Sequence, residues 1–279
     1  MPTGIPSAEP FVLREIRGSD FFDFAQRIFT RDMRLLKAEE GFMCLLLDPQ
    51  ARLLELFWLY QRSHELFEVI HPASSHSWKE NVERYQFSEK FEIGPAQSLR
   101  VRWEDSPQPT TSSRTKILDS KSWLASYNQS RLLFSLGDFS KEDLLNWQIY
   151  RWENQLLLPS EDASKSRLIF DWGLENFCDA NKGCYVGQEI VERVKSRGGA
   201  SAFEVLKCRW QSPPEADEPI SHQEKSVGVS SSSSIPLDAK TVGSFVFTKK
   251  GLLSGDLIFG EISGAQGQIV ASPKTNFVT

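Results

Sequence analysis

Between Phe42 and Ile70 the sequence sets out three apolar runs, Phe42 to Leu47, Leu53 to Tyr60 and Leu66 to Ile70, with the turn Asp48-Pro49-Gln50-Ala51 between the first two. Runs this short, so closely connected, pair as antiparallel neighbours, because a parallel connection needs a dozen or more residues. A meander this apolar needs cover, and helical patterns flank it. Phe21, Phe24, Ala25 and Ile28 recur at i, i+3, i+4 and i+7 behind Ser19 and Asp20, and Trp78, Val82 and Tyr85 recur at helical spacing behind a Ser-rich start. Leu99, Val101 and Trp103 alternate as a strand does, while Ser140 with Asp143 opens a helix that carries Leu145, Ile149 and Trp152 on one side and ends before Pro159. The mixture predicts an α+β fold.

Beyond Gly198-Gly199 the pattern changes to short strand-like runs, Phe203 to Trp210, Val242 to Thr248, Leu252 to Ile262 and Gln268 to Ala271, two of them joined by Lys249-Lys250-Gly251. We therefore expect a region over 1–199, in two lobes, and a small C-terminal β-barrel over 200–279, since closure removes exposed strand edges. Within the latter, Ser226 to Pro236 contains five consecutive serines and is expected to form a disordered surface loop. Pro107 to Ser113 reads as a polar loop.

A net charge of -5 excludes a general electrostatic grip on nucleic acid or an anionic membrane. No apolar run approaches the roughly 20 residues that cross a bilayer, and Met1 to Pro10 lacks a signal-peptide core. Four cysteines, Cys44, Cys178, Cys184 and Cys208, form no CxxC pair, which suits a reducing compartment, and a cytoplasmic monomer is expected. The histidines lie at no ligand spacing, so no metal site is expected.

The densest chemistry lies between Asn181 and Gly199. Gly183 and Gly187 bracket Cys184 and Tyr185, and after Gly187 the residues Ile190, Val191 and Val194 give an apolar helix face, with Glu189 and Glu192 early, Arg193, Lys195 and Arg197 late, and the glycine pair as a stop. Cys184 thus sits just before a helix, near Lys182. One reading is a reactive thiol whose thiolate is stabilised by the lysine and the helix dipole. The other is a glycine-rich turn holding a small buried side chain. Cys178, six positions earlier, reads as a core residue rather than a redox partner.

Lys182 to Glu189, KGCYVGQE, resembles the KGCYxGQE motif of the YgfZ-type family of folate-binding factors for iron–sulfur cluster assembly and repair, which is similar in fold to the aminomethyltransferase (T-protein) of the glycine cleavage system. Gly18-Ser19-Asp20 with Thr30-Arg31-Asp32, the turn Leu47-Asp48-Pro49-Gln50-Ala51-Arg52, Tyr150-Arg151, Pro159-Ser160-Glu161 and Val242-Gly243 resemble further family elements in the same order. Ala51 stands where the family turn has glycine, and Arg31 where it has asparagine.

The resemblance implies a T-protein-like, multi-lobed set of antiparallel sheets with flanking helices and a small C-terminal barrel. It also implies that tetrahydrofolate, or a polyglutamylated derivative, binds near Cys184, and that the partners are iron–sulfur client enzymes or assembly proteins. On the matched positions, Tyr185 offers a flat face for the pterin, Gln188 or Glu161 groups for its polar edge, and Arg151, Lys182 or Arg193 a cation for the glutamate tail, with Glu189 of the motif also counted among the folate-binding residues. The alternative is a folate-dependent aminomethyl transferase with Glu55 or Asp48 as its acid. The paired aspartates of the transferases fall on Glu55-Leu56, which counts against that activity.

Overall fold

The computed structural model describes residues 11–105, 114–119, 122–127, 130–137, 140–162, 167–199 and 201–270 of the 279. Its described residues fall into two compact units, one formed by 11–144 with Asn176–Gln188 and the other by Leu145–Glu175 with 189–270. Residues 145–175 and 189–199, grouped by sequence with the N-terminal region, therefore cluster with the C-terminal strands. The polar loop at 107–113 lies outside the described residues.

In the first unit the elements are β1 (Phe11–Arg17), α1 (Phe21–Ile28), β2 (Glu40–Leu47), β3 (Leu53–Arg62), β4 (Glu65–Ile70), α2 (Pro72–Arg84), β5 (Glu92–Ile93), β6 (Gln97–Asp105), β7 (Arg114–Asp119), β8 (Ser122–Tyr127) and β9 (Ser130–Leu136). The strands form one antiparallel sheet in the order β4-β3-β2-β7-β8-β9-β6-β1-β5, and a further pairing joins β1 to β4. The expected meander is β2-β3-β4, in register with Cys44 opposite Phe57 and Phe57 opposite Ile70.

Because side chains alternate between sheet faces, Phe42, Cys44, Leu46, Phe57, Leu59 and Ile70 share one face, on which Phe21, Phe24 and Ile28 of α1 and Trp78 and Val82 of α2 pack. This is the helical cover that the periodicity demanded. A second aromatic cluster links strands distant in sequence, with ring centroids of Phe11 and Phe134 4.8 Å apart and those of Trp58 and Phe134 5.5 Å apart. The strands β1 and β7 to β9 were not anticipated. In β1 a charge stands in a buried run, since Arg14 lies opposite Glu68 of β4 and pairs with it at 3.1 Å.

The second unit contains the remainder of α3 (Lys141–Glu153), α4 (Pro159–Asp162), α5 (Gln188–Ser196) from Glu189 onward, and β10 (Phe203–Trp210), β11 (Pro219–His222), β12 (Lys225–Ser230), β13 (Ile235–Pro236), β14 (Val242–Lys249), β15 (Leu257–Gly260) and β16 (Gln266–Val270). Six strands close in the ring β10-β16-β15-β11-β12-β14, with β13 added to β14, so the small barrel is as expected. Cys208, Trp210, Ile220, Val246, Ile258 and Ile269 form its core. Gly243 is required there, since an added Cβ would meet the indole of Trp152 at 2.8 Å.

Two expectations are corrected in this unit. The serine-rich segment is ordered. Ser230 is fully buried, its hydroxyl accepting from the Glu218 N–H at 2.9 Å and donating to the Glu215 carbonyl, while Ser231 N–H donates to Phe245 O at 2.8 Å and the Ser232 hydroxyl to Glu161 O at 2.6 Å. Serines can be packed without apolar gain when every hydroxyl and amide finds a partner.

The apolar side of α3 is also only partly the expected one: Trp152 is buried as its spacing requires, but Leu145 is 44% exposed while Trp147, Gln148 and Arg151 are buried. The buried side includes an arginine because Asp162 is buried with it. Among the described residues, no helix is long and apolar enough to cross a membrane.

Candidate functional site

The residues that precede Cys184 are fastened to the end of α1 and the chain that follows it. Asp179 Oδ2 accepts the Asp32 N–H at 2.7 Å and Arg31 Nε at 3.0 Å, and Asp179 N–H donates to Thr30 O at 3.0 Å. Arg34 holds the Asp32 carboxylate through two nitrogens, at 2.8 and 2.6 Å, and donates to the Asn181 carbonyl at 3.1 Å. Gln26 Nε2 donates to the Lys182 carbonyl at 2.6 Å, Gln26 Oε1 accepts the Met33 N–H at 2.7 Å, and Lys182 Nζ donates to the Gln26 carbonyl. That carbonyl lies in the last turn of a helix, where carbonyls lack intrahelical partners.

On the far side of Cys184, Gly187 has φ +84° and is pressed against the β2-β3 turn. A Cβ there would come within 2.6 Å of Asp48 O and 3.2 Å of Ala51 Cα. The turn is held by Asp48, whose Oδ1 accepts the N–H groups of Gln50 at 2.9 Å and Arg52 at 2.8 Å. Ala51 is fully buried with φ +59°, a left-handed conformation that glycine adopts without a steric penalty. The elements around Thr30, Asp48 and Lys182, far apart in sequence, thus meet in one unit.

Cys184 is exposed, whereas Cys44, Cys178 and Cys208 are buried, and burial pushes the thiols of Cys44 and Cys208 well above the usual range. Lys182 is turned inward. Its side chain is buried, with Nζ 4.9 Å from the centre of the Tyr185 ring, and burial brings its pKa down to about 8 against the opposing pull of Cys44, Asp32, Asp179 and Cys178. Tyr185 is buried too, with a face already covered by that ammonium. Neither side chain offers the exposed face or cation that the sequence suggested.

Further along, Gln188 is half-buried, and Glu189 and Arg193 pair across one turn of α5 at 2.6 Å with side chains 81% and 52% exposed. Arg151 and Glu161 belong to the second unit. The Arg151 guanidinium is fully buried, bonded to both oxygens of Asp162 at 2.8 and 2.7 Å, to Gln148 Oε1 at 3.0 and 2.8 Å and to Glu161 at 3.0 Å. A charge enclosed in this way is committed to the fold, so the expectation of a free cation at 151 is not met.

Glu55, the candidate transfer acid, is also enclosed. Its Oε1 accepts the Ser77 hydroxyl at 2.5 Å, its Oε2 has no hydrogen-bond partner, and burial raises its pKa to about 7. Sequence reasoning missed Gln26 and Asp179. Nothing in their local spacing marks them, and only the family elements beside them, around Thr30 and Lys182, pointed to the neighbourhood.

No family model matches the sequence, and no curated protein matches it. Among solved structures, the chain is similar to the glycine cleavage system aminomethyltransferase T from Bartonella henselae, with a TM-score of 0.68 over 97% of this chain and 85% of that one, at 15% identity. The fold is that of an aminomethyltransferase T. At this identity the likeness establishes architecture alone, and the chemistry has to be argued from the side chains.

Proposed function

We propose that the chain is a tetrahydrofolate-binding accessory factor of the YgfZ type, which serves the assembly or repair of iron–sulfur clusters in client enzymes of the cytoplasm through the thiol of Cys184. The observation that carries this reading is the exposed Cys184, set between a hydrogen-bonded anchor at Lys182 and a steric anchor at Gly187 in a chain whose other cysteines are buried. A thiol kept outside the core but tethered on both sides is placed for chemistry rather than packing.

The residues present fit a reduced folate in part. In the first unit Gln188 keeps an amide partly open to solvent, a group that would hold a pterin edge; in the second unit Glu189 and Arg193 keep a carboxylate and a guanidinium exposed. Tyr185, Lys182, Arg151 and Glu161 are drawn into internal contacts and do not fit those roles. When bound, the folate supplies a pterin carrier for one-carbon groups. The aminomethyl transfer reading is not adopted, because Glu55 is enclosed and Asp48 Oδ1 is engaged by its own turn.

Calorimetry with tetrahydrofolate and its polyglutamate tests the binding, and absence of heat for a folded sample rejects it. Cells that depend on the protein test the thiol. With Cys184→Ser at normal protein level, a panel of iron–sulfur enzymes is expected to lose activity, and wild-type activities would reject the assignment.

A further inference from the structure

We propose that Lys182 and Gln26 form a reciprocal clasp that positions the Cys184 segment, and that the proton on Lys182 sets how firmly the clasp closes. The clasp is argued from geometry, and only its consequence for clients rests on the reading of Cys184 given above. Two residues 156 positions apart exchange bonds in both directions, the Gln26 amide donating to the Lys182 carbonyl and the Lys182 ammonium to the Gln26 carbonyl. The Gln26 side chain is itself oriented by the Met33 N–H. Cys184 follows two residues later across Gly183, whose φ of +94° lets the backbone turn at once from the clasp.

The groups that face the ammonium are Cys44 from β2, Asp32 from the chain after α1, Asp179 and Cys178 from its own segment, and the Tyr185 ring. Asp32 is already paired with Arg34 and Asp179 with Arg31, and burial disfavours the thiolate of Cys44. The lysine's charge therefore has weaker support than the number of acids around it suggests, and burial brings its own change of charge to just above neutrality. Losing the proton exchanges a charge-assisted bond to the Gln26 carbonyl for a neutral one and removes the attraction to the Tyr185 ring, so the segment opens more often.

Amide hydrogen exchange of residues 181–187 in the full chain, corrected for intrinsic rates, tests this between about pH 6.5 and about pH 9.5. Protection in the wild type is expected to drop about tenfold through a step near pH 8. Lys182→Met is expected to start lower and show no step. Gln26→Leu is expected to start lower and keep the step, since the backbone carbonyl that receives Nζ remains; a merely structural contact lowers protection without any step.

A flat wild-type profile, or a step that survives in Lys182→Met, overturns the proposal. Should Lys182→Met not fold, a step in both the wild type and Gln26→Leu supports it, and flat profiles in both overturn it. A wild-type step together with normal iron–sulfur enzyme activities in Cys184→Ser supports the clasp while rejecting the function proposed above.

Discussion

Replacing Glu55 with glutamine tests whether the carboxyl beneath α2 is held in its neutral form. Glu55 is 3% exposed, bonded through one oxygen to Ser77, with the other oxygen unpartnered. Burial raises its pKa from 4.5 to about 7. Between those values the native state keeps a proton that the unfolded chain has released, so stability falls as pH rises through the window and levels off above about pH 7. At about 1.4 kcal/mol per pH unit the full loss is about 3.5 kcal/mol.

Glutamine resembles the protonated acid and cannot ionise. The stability difference between Glu55→Gln and the wild type should therefore move by about 2.5 kcal/mol in favour of the variant from about pH 5 to about pH 8. The comparison cancels to first order the parallel contribution of Glu68, whose own pKa is raised to about 8 chiefly by burial and to a lesser extent by the nearby charge of Glu55. Urea unfolding at both pH values measures it. A difference constant to within about 0.5 kcal/mol would mean that Glu55 is ionised in the fold, and the reasoning from its burial would fail.

Three further outcomes are expected. Ser230→Ala should cost about 1–2 kcal/mol in urea unfolding, because the Glu218 N–H and Glu215 carbonyl lose the hydroxyl between them; no change would restore the view of this segment as a loose loop. Arg151→Met should cost about 3–5 kcal/mol by leaving Asp162 buried and uncompensated, and adding Asp162→Leu should recover much of it, a rescue that a dominant loss of packing would not allow. Ala51→Gly should raise stability by about 1 kcal/mol by relieving the left-handed backbone at φ +59°, visible as a higher urea midpoint at unchanged slope; a lower midpoint would show that the alanine methyl's packing outweighs the strain.

Periodicity, continuous apolar runs and turn chemistry revealed the elements whose buried residues are apolar. Phe21, Phe24, Ala25 and Ile28 are buried on α1 as their spacing requires, β2 to β4 contain their expected runs and extend one or two residues beyond them, and Gly198 and Gly199 take positive φ after α5. What stayed hidden were positions where a polar residue is buried because a distant one meets it. Arg14 breaks the apolar pattern of β1 and finds Glu68, 54 residues away. Arg151 turns the polar-looking side of α3 inward because Asp162 is there. The serines look like a solvated tract until Glu218, Phe245 and Glu161 supply their partners. At the candidate site the motif drew attention to Cys184, which is exposed, but local spacing carries no trace of which way a lysine turns, and Lys182 turned inward.

The bond between Gln26 and Lys182 also has a meaning in time. During synthesis at about 5–20 residues per second, the 156 residues between them take roughly 8–30 s to emerge, so the end of α1 waits for its partner while the sheet strands are already being made. The thiol is delivered to its seat near the end of that interval, and a chain interrupted before Asn176 carries neither Cys184 nor the segment that fastens it. A stalled product can thus build much of the first unit's sheet without ever exposing the Cys184 thiol.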